Sequence, residues 1–120
     1  MLSHHKNTRG DVGNMLVIQT GLPGLVLLEP KVFRDERGFF LETYSETAYA
    51  AAGIHARFVQ DNHAYSVSPG VLRGLHFQLP PFAQAKLVWV VRGGVLDVVV
   101  DLRRDSPTFG RHFSAELTAG

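Results

Sequence analysis

The sequence lacks cysteine, long apolar runs and any strong net charge, and each absence excludes a class of function. With no Cys among 120 residues, there is no disulfide framework, thiol nucleophile or thiolate metal site. No apolar run is long enough to span a membrane, and the N-terminal residues contain no apolar signal core. A formal net charge of +1, with scattered Lys and Arg, gives no footprint for nucleic acid but is compatible with one phosphorylated small ligand. We therefore expect a cytoplasmic protein without nucleic-acid or membrane partners.

What is present is enough apolar sequence for one folded domain. Apolar residues make up 45% of the chain and charged residues 19%, which is typical of globular proteins. Residues 1–14 are polar and show no period, so we expect a flexible N-terminal leader in which His4 and His5 are solvated. Residues 15–120 are expected to form a single domain.

Short apolar or alternating segments, separated by turn signals, predict an all-β fold. A Gly-Leu-Pro-Gly turn separates the first two segments, a charged loop at 33–38 precedes the third, and residues 68–70 supply a further turn. Residues 71–102 are predicted to contain three consecutive strands, the last two joined by a hairpin at Gly93-Gly94. The predicted strands are 16–19, 25–29, 39–44, 57–64, a segment around 72–78, 87–91, 95–102 and 112–118. This pattern predicts an antiparallel sandwich or barrel of jelly-roll type.

Two local features complete the predicted fold. Ser45 can cap a short helix through the Ala-rich run TAYAAA, and Gly53 is placed to end it. The strand at 112–118 has apolar residues on one face and ends almost at the last residue. Its outer edge is therefore exposed, covered by another chain, or left by a domain cut short.

The central strands carry a candidate catalytic pair. His76 and Lys86 lie on either side of a predicted turn, and both can point into the concavity of a jelly roll. An imidazole accepts protons near neutral pH and an ammonium stabilises a nearby oxyanion, which together suit removal of a proton alpha to a carbonyl. Arg73 lies on the opposite face of a flat strand from His76, unless Gly74 allows a bulge. The alternative also stays open: His76 is a hydrogen-bonded core residue and Lys86 a solubility charge.

Other polar residues are placed to bind a ligand around this pair. Arg37 and Arg73 carry planar guanidinium groups, which hold phosphate oxygens as bidentate donors. Gln60 and Asn62 share one face of their predicted strand. Gln60, Asn62 and Glu42 can therefore line the same concavity of the jelly roll as His76 and Lys86.

A metal site is a weaker alternative. Cupin-type jelly rolls bind metals through clustered His, but the predicted strands contain no His-x-His pattern, and His63 and His112 are isolated. Asp97 and Asp101 lie on one face of a strand about two pleats apart, and a solvated outer face explains them. We therefore expect no metal.

Several motifs in fixed order resemble the dTDP-4-dehydrorhamnose 3,5-epimerases of nucleotide-sugar biosynthesis. The resemblance extends over residues 24–117. The matching segments are DERGFF at 35–40, QDNH at 60–63, RGLHFQ at 73–78, AKL at 85–87, VVDLR at 99–103 and SPT at 106–108. The resemblance implies a cupin-like jelly roll, or double-stranded β-helix, that forms a homodimer and uses no metal or other cofactor.

The resemblance also implies a reaction and residue roles. The family inverts C3 and C5 of dTDP-4-keto-6-deoxyglucose by base-catalysed enolisation, in dTDP-L-rhamnose biosynthesis. His76 is implied as the general base and Lys86 as the group that stabilises the C4 enolate. The implied substrate ligands are Arg37, Glu42, Gln60, Asn62 and Arg73, with Arg37 reaching the nucleotide bound by a partner subunit.

Chains of this family continue past the matched region with a further His, a proton-donating Tyr and a carboxylate that pairs with the base. Tyr44, Tyr49 and Tyr65 all precede the base and do not match that donor. We therefore expect an epimerase truncated at its C-terminal side, which holds the base side of the site. The alternatives are a single-carbon epimerase, a ketoisomerase of similar nucleotide sugars, or a non-catalytic fragment that binds nucleotide sugars.

Overall fold

The computed structural model describes residues 9–119, so His4, His5 and the first part of the predicted leader lie outside the described residues. The described residues fall into two units. One contains residues 9–55 and 89–119, and the other is Ala56–Val88. The expectation that residues 15–120 form a single domain stays a prediction.

The first unit begins with a three-stranded antiparallel sheet. Its strands are β1 (Arg9–Val12), β2 (Met15–Gln19) and β3 (Val26–Pro30), with β2 in the centre. The predicted strands at 16–19 and 25–29 are therefore confirmed. The turn between them is confirmed as well, because the backbone N–H of Leu25 donates to the carbonyl oxygen of Leu22 at 3.0 Å. Most of the buried apolar side chains belong to β2 and this turn: Met15, Val17, Ile18 and Leu22.

The prediction of an irregular leader is wrong at β1. A two-residue turn at Gly13 and Asn14 brings Arg9–Val12 alongside β2, with Val12 opposite Met15. Gly13 has a φ of +58°, which suits the first loop position of a type II′ hairpin. The polar sequence was misleading because β1 is an edge strand whose side chains are mostly exposed. Its backbone pairing does not require apolar residues.

The predicted charged loop at 33–38 is a β-hairpin. Strand β4 (Val32–Asp35) pairs antiparallel with β5 (Gly38–Leu41), and Asp35 lies opposite Gly38. The strand predicted at 39–44 is correct in kind but ends at Leu41. The guanidinium of Arg34 lies 5.4 Å from the centroid of the Phe39 ring, so a charged residue packs across this strand pair.

The predicted helix is confirmed as α1 (Glu46–Ala51). The hydroxyl oxygen of Ser45 accepts a hydrogen bond from the backbone N–H of Ala48 at 3.3 Å, which is an N-cap contact. At the other end Gly53 has a φ of +81° and donates to Ala50, while Ile54 donates to Tyr49. This pair of bonds is a Schellman motif, and it explains why Gly ends the helix here.

Helix α1 also holds the segment that follows β5. The side chain of Tyr49 is buried, and its hydroxyl donates to the carbonyl oxygen of Thr43 at 2.9 Å. Its ring meets the edge of Tyr44, with 4.9 Å between ring centroids. Burial raises the pKa of Tyr49, and the neighbouring Tyr44 and Glu42 add to the effect. Residues 42–44 are therefore tied to the helix by both apolar and polar contacts.

The third strand pair consists of β6 (Gly94–Val100) and β7 (His112–Thr118). They are antiparallel, with Gly94 opposite Thr118 and Val100 opposite His112. The last strand is confirmed, and its alternate residues Phe113, Ala115 and Leu117 are half-buried as the pattern predicts. The hairpin predicted across Gly93-Gly94 is wrong. Residues 87–91 are not a strand, and β6 takes its hydrogen-bond partner from later in the chain.

The second unit, Ala56–Val88, contains no described helix or strand. The strands predicted at 57–64 and 72–78 are therefore wrong as secondary structure. Alternating side chains predict which face a residue takes, but a strand also needs a neighbouring backbone to pair with. The predicted turn is confirmed at Pro69 and Gly70, where Gly70 has a φ of +76°.

Across the described residues, every strand pair is antiparallel and α1 is the single helix. These observations agree with the all-β prediction. Within the same range, no helix has the length and apolar character needed to cross a bilayer.

Candidate active site

The two residues predicted to perform the chemistry, His76 and Lys86, are exposed side chains of the second unit. The ring of His76 lies close to Gly74, because a Cβ added at Gly74 would be 3.8 Å from His76 Nδ1. Gly74 also has a φ of +118°, a conformation that side-chain-bearing residues rarely adopt. The bulge that Gly74 could allow does not form, because residues 72–78 have no strand partner. The residue nevertheless gives the backbone a conformation that only glycine readily adopts.

Arg73 is held by residues from the far side of the Pro69-Gly70 turn. Its Nε and Nη2 donate to the hydroxyl oxygen of Ser66 at 3.3 and 3.2 Å, and Nη2 also donates to the carbonyl oxygen of Tyr65 at 3.2 Å. These bonds occupy one edge of the guanidinium group. The other edge, which includes Nη1, remains able to donate to an anion.

Gln60 and Asn62, which the sequence places on one face of a predicted strand, contact each other in the structure. Gln60 Nε2 donates to Asn62 Oδ1 at 3.0 Å, and both side chains are exposed. The pair therefore shares a face although the segment is not a strand. The hydrogen bond leaves the carbonyl oxygen of Gln60 and the amide nitrogen of Asn62 available for a polar ligand.

Arg37 and Glu42 belong to the first unit. Arg37 occupies the β4–β5 turn, where its guanidinium forms an ion pair with Asp35. The Arg37 contact lowers the pKa of the Asp35 carboxyl, and the Asp35 contact raises the pKa of Arg37. Glu42 is exposed and follows β5 directly. That all seven predicted site residues converge on one ligand stays a prediction.

A polar cluster that the sequence did not predict surrounds Asp101. Its side chain is 1% exposed, so the expectation that Asp101 faces solvent is wrong. Asp101 Oδ1 accepts from Arg103 Nε at 2.9 Å, and Oδ2 accepts from the hydroxyls of Ser106 and Thr108 at 2.6 Å each. Because these donors favour the ionised form, the pKa of Asp101 lies well below its usual range, with Arg103 as the largest cause.

The Asp101 cluster organises the connection between β6 and β7. Arg103 Nη2 also donates to the carbonyl oxygen of Pro23 at 2.7 Å, which links this connection to the turn between β2 and β3. The sequence feature that could have indicated this cluster is the pair of hydroxyl residues Ser106 and Thr108, five and seven positions after Asp101. Both lie in a segment that resembles the family. These contacts stabilise the structure. None of them touches the predicted catalytic pair.

Groups able to bind a metal are not assembled in the described part of the chain. Across residues 9–119, no three His, Cys, Asp or Glu side chains lie together in a metal-binding arrangement. The predicted site residues of the second unit instead carry guanidinium, amide, imidazole and ammonium groups, all on exposed positions. Such groups can bind an anionic, hydroxyl-rich ligand and exchange protons with it.

Comparison with known proteins places these residues in a family. The family model for dTDP-4-dehydrorhamnose 3,5-epimerase matches residues 19–120. A Shigella flexneri protein named dTDP-4-dehydrorhamnose 3,5-epimerase is 53% identical over 106 residues, which cover 88% of this chain and 58% of the relative. The chain therefore spans little more than half the length of that relative.

Solved structures give the same result. A Bacillus anthracis dTDP-4-dehydrorhamnose 3,5-epimerase, with TDP and PPi bound, has a TM-score of 0.85 and 48% identity, covering 88% of this chain and 60% of that one. A Legionella pneumophila dTDP-6-deoxy-D-glucose-3,5-epimerase, in complex with dTDP-4-keto-L-rhamnose, has a TM-score of 0.81 and 48% identity, covering 87% and 55%. The fold class is thus the antiparallel cupin-type jelly roll. On the family model and these identities together, the chain belongs to the dTDP-4-dehydrorhamnose 3,5-epimerase family.

Proposed function

We propose that this chain carries the proton-removing side of a 3,5-epimerase acting on dTDP-4-keto-6-deoxyglucose, in dTDP-L-rhamnose biosynthesis. The observation that carries the proposal is the family match over residues 19–120, which includes His76 and Lys86. The Legionella pneumophila relative, whose structure contains dTDP-4-keto-L-rhamnose, supports the substrate class. The complete epimerisation is a proposal, because this chain covers only 58% of the length of the Shigella flexneri relative.

In the proposed reaction His76 is the general base. Its imidazole takes the proton from the carbon next to the C4 carbonyl, and the electrons of that C–H bond move onto the carbonyl oxygen. Lys86 stabilises the resulting enolate oxygen through its ammonium group. Inversion requires an acid on the opposite face of the carbon to return a proton, and in the family this acid is a Tyr that lies beyond the matched region. The same steps at C3 and at C5 give the product, and no cofactor is required.

The remaining predicted residues are proposed to hold the substrate. Arg37 and Arg73 donate to diphosphate oxygens, for which guanidinium groups have the matching geometry. Gln60, Asn62 and Glu42 offer amide and carboxylate groups that pair with hydroxyl groups. The contact between Gln60 and Asn62 supports this role, because it holds two exposed amides next to each other.

We further propose that the protein is a cytoplasmic homodimer and that Arg37 reaches the nucleotide bound by its partner. The β4–β5 hairpin supports an interface there, because Phe39 is 60% exposed and Phe40 is 70% exposed. Exposed aromatic pairs of this kind are typical of surfaces that bind another protein chain. Measurement of the molar mass in solution by light scattering tests the dimer, and a monomer at all concentrations would contradict it.

The proposed chemistry is tested by proton exchange. The chain is incubated with dTDP-4-keto-6-deoxyglucose in heavy water, and deuterium at C3 and C5 is followed by NMR. We expect His76→Ala to slow the exchange by about 10²- to 10⁴-fold, the usual contribution of a general base. His55→Ala is the matched control, since His55 is exposed and lies in none of the motifs that resemble the family. It should exchange at the unaltered rate.

Three results would contradict the proposal. Exchange that is equally fast without His76 would assign the base to another residue. Saturable binding of thymidine diphosphate without any exchange would leave nucleotide-sugar binding as the function of this chain. Exchange at one carbon alone would instead favour the single-carbon epimerase.

A further inference from the structure

The guanidinium of Arg37 is already held along one edge by Asp35. Asp35 Oδ2 accepts hydrogen bonds from Arg37 Nε, at 3.1 Å, and from Nη2. Asp35 Oδ1 accepts from the backbone N–H of Arg37 at 2.9 Å. One carboxylate therefore fixes both the main chain and the side chain of the same arginine, which a simple surface ion pair does not do.

The hairpin turn makes this contact possible. Asp35 pairs with Gly38 at the end of β4 and β5, so Glu36 and Arg37 form a two-residue loop. Gly38 has a φ of +131°, where an L side chain would be strained. The backbone path of the loop places the Arg37 N–H over the Asp35 carboxylate, and the guanidinium then folds back onto the second oxygen.

The contact leaves the opposite edge of Arg37 open. A guanidinium has five N–H donors in a planar fork, and Asp35 occupies those on the Nε side. The side chain is 86% exposed, so the Nη1 edge faces solvent. A planar donor fork held in one orientation binds a diphosphate with less loss of side-chain freedom than a mobile one.

A competing explanation predicts the opposite effect. If Asp35 merely neutralises Arg37, its negative charge opposes an incoming phosphate, and removing it should strengthen binding. If Asp35 orients Arg37, removing it should weaken binding although the local charge becomes more positive. The direction of the change therefore separates the two explanations.

We propose that Asp35 is a positioning residue, which holds Arg37 so that its free edge donates to the diphosphate of a nucleoside diphosphate ligand. This inference rests on the proposed function, because it takes Arg37 to be a ligand of the diphosphate. Asp35 itself does not touch the ligand. Its carboxylate acts through Arg37 alone.

The test measures the affinity of this chain for thymidine diphosphate by calorimetry. Asp35→Asn keeps an oxygen that accepts from the backbone N–H of Arg37, but it loses the ion pair with the guanidinium. We therefore expect the affinity for thymidine diphosphate to fall about three- to tenfold. Glu36→Gln is the matched control. It removes the same charge from the same turn, and affinity should stay within about twofold of the unaltered chain or rise slightly. Unchanged thermal unfolding midpoints would show that both variants are folded.

A second pair of variants identifies Arg37 as the residue through which Asp35 acts. Arg37→Lys keeps the positive charge but has no fork to orient. In that background Asp35→Asn should cause no further loss of affinity. Asp35→Ser, which keeps a short acceptor for the turn, should behave like Asp35→Asn and covers the case in which the Asn variant does not fold.

Each outcome is decisive. Affinity of Asp35→Asn equal to or higher than that of Glu36→Gln would overturn the positioning role and leave the proposed function untouched. An equal loss from Asp35→Asn in the Arg37→Lys background would overturn it too. If the unaltered chain does not bind thymidine diphosphate, the proposed ligand class fails together with this inference. That failure is recognised before any variant is compared.

Discussion

Asp101→Asn is a sharp test of how the first unit is held together, because it removes one charge and keeps the shape of the side chain. The Asp101 carboxylate is buried and accepts hydrogen bonds from Arg103, Ser106 and Thr108. These bonds hold its pKa well below the usual range in the folded chain, chiefly through Arg103 and then through the two hydroxyls. In the unfolded chain the bonds are lost, and the carboxyl titrates near its ordinary value.

The size of the effect on stability is given by the number of protons that Asp101 takes up when the chain unfolds. With an ordinary Asp pKa of 3.8, the unfolded carboxyl is about 0.9 protonated at pH 3, whereas the folded carboxylate remains ionised. Unfolding at pH 3 therefore takes up about 0.9 proton at this residue, and almost none at pH 7. The sign follows from the lowered pKa. The stability that Asp101 contributes is fully present above the unfolded pKa, and it is lost as the pH falls toward the folded pKa.

The assay is urea unfolding between pH 7 and pH 3, followed by circular dichroism. The slope of unfolding free energy against pH gives the protons taken up. We expect Asp101→Asn to be less stable at pH 7, and to lose less stability than the unaltered chain between pH 5 and pH 3. The lowered pKa of Asp35 contributes to the slope in both chains, so their difference isolates Asp101.

Asp97→Asn provides the control. It removes the same charge from β6, four residues before Asp101. Its slope should remain close to that of the unaltered chain. If Asp101→Asn loses stability toward acid as steeply as the unaltered chain does, the three donors do not stabilise the charged form. The charge of Asp101 would then not stabilise the connection between β6 and β7.

Two further predictions concern local contacts. Ser45→Ala removes the N-cap acceptor of the Ala48 N–H, so the free energy of unfolding should fall by about 1 kcal/mol, and an unchanged urea midpoint would contradict the cap. Ser66→Ala removes the hydroxyl that holds Arg73, so affinity for thymidine diphosphate should fall about threefold. Ser68→Ala, two residues later in the chain, is the control. Equal losses of affinity in the two variants would show that the Ser66 hydroxyl does not act through Arg73.

The features predicted correctly from the sequence are those set by nearby residues. Helix α1 begins at a capping Ser and ends at a Gly with positive φ, and both signals lie within nine residues. The alternation of β7 required only a period of two. In each case the controlling interaction spans only a few positions of the chain.

The features predicted incorrectly depend on which backbone segments pair. Residues 87–91 are as apolar as β6, and the pattern predicted a hairpin between them, yet β6 pairs with β7 across the Asp101 cluster. The β4–β5 hairpin was hidden by its charged residues, because side-chain polarity says little about a strand whose faces are both exposed. The alternation of the strand residues predicted that Asp101 faces solvent. The prediction is wrong because Ser106 and Thr108, whose hydroxyls make the burial of Asp101 favourable, lie beyond the strand.

The same distinction applies to the candidate site. Each arginine that is proposed to bind diphosphate has its orientation set locally, Arg37 by a residue two positions away and Arg73 by one seven positions away. The contribution of each arginine to anion binding can therefore be tested by single substitutions in this chain. The proposed proton transfer is different, because His76 and Lys86 must approach the same carbonyl group from segments ten residues apart that no described strand connects. Binding of thymidine diphosphate should consequently tolerate changes in the chain between His76 and Lys86 that abolish deuterium exchange. Loss of both functions in equal proportion would show that binding and chemistry depend on one shared arrangement.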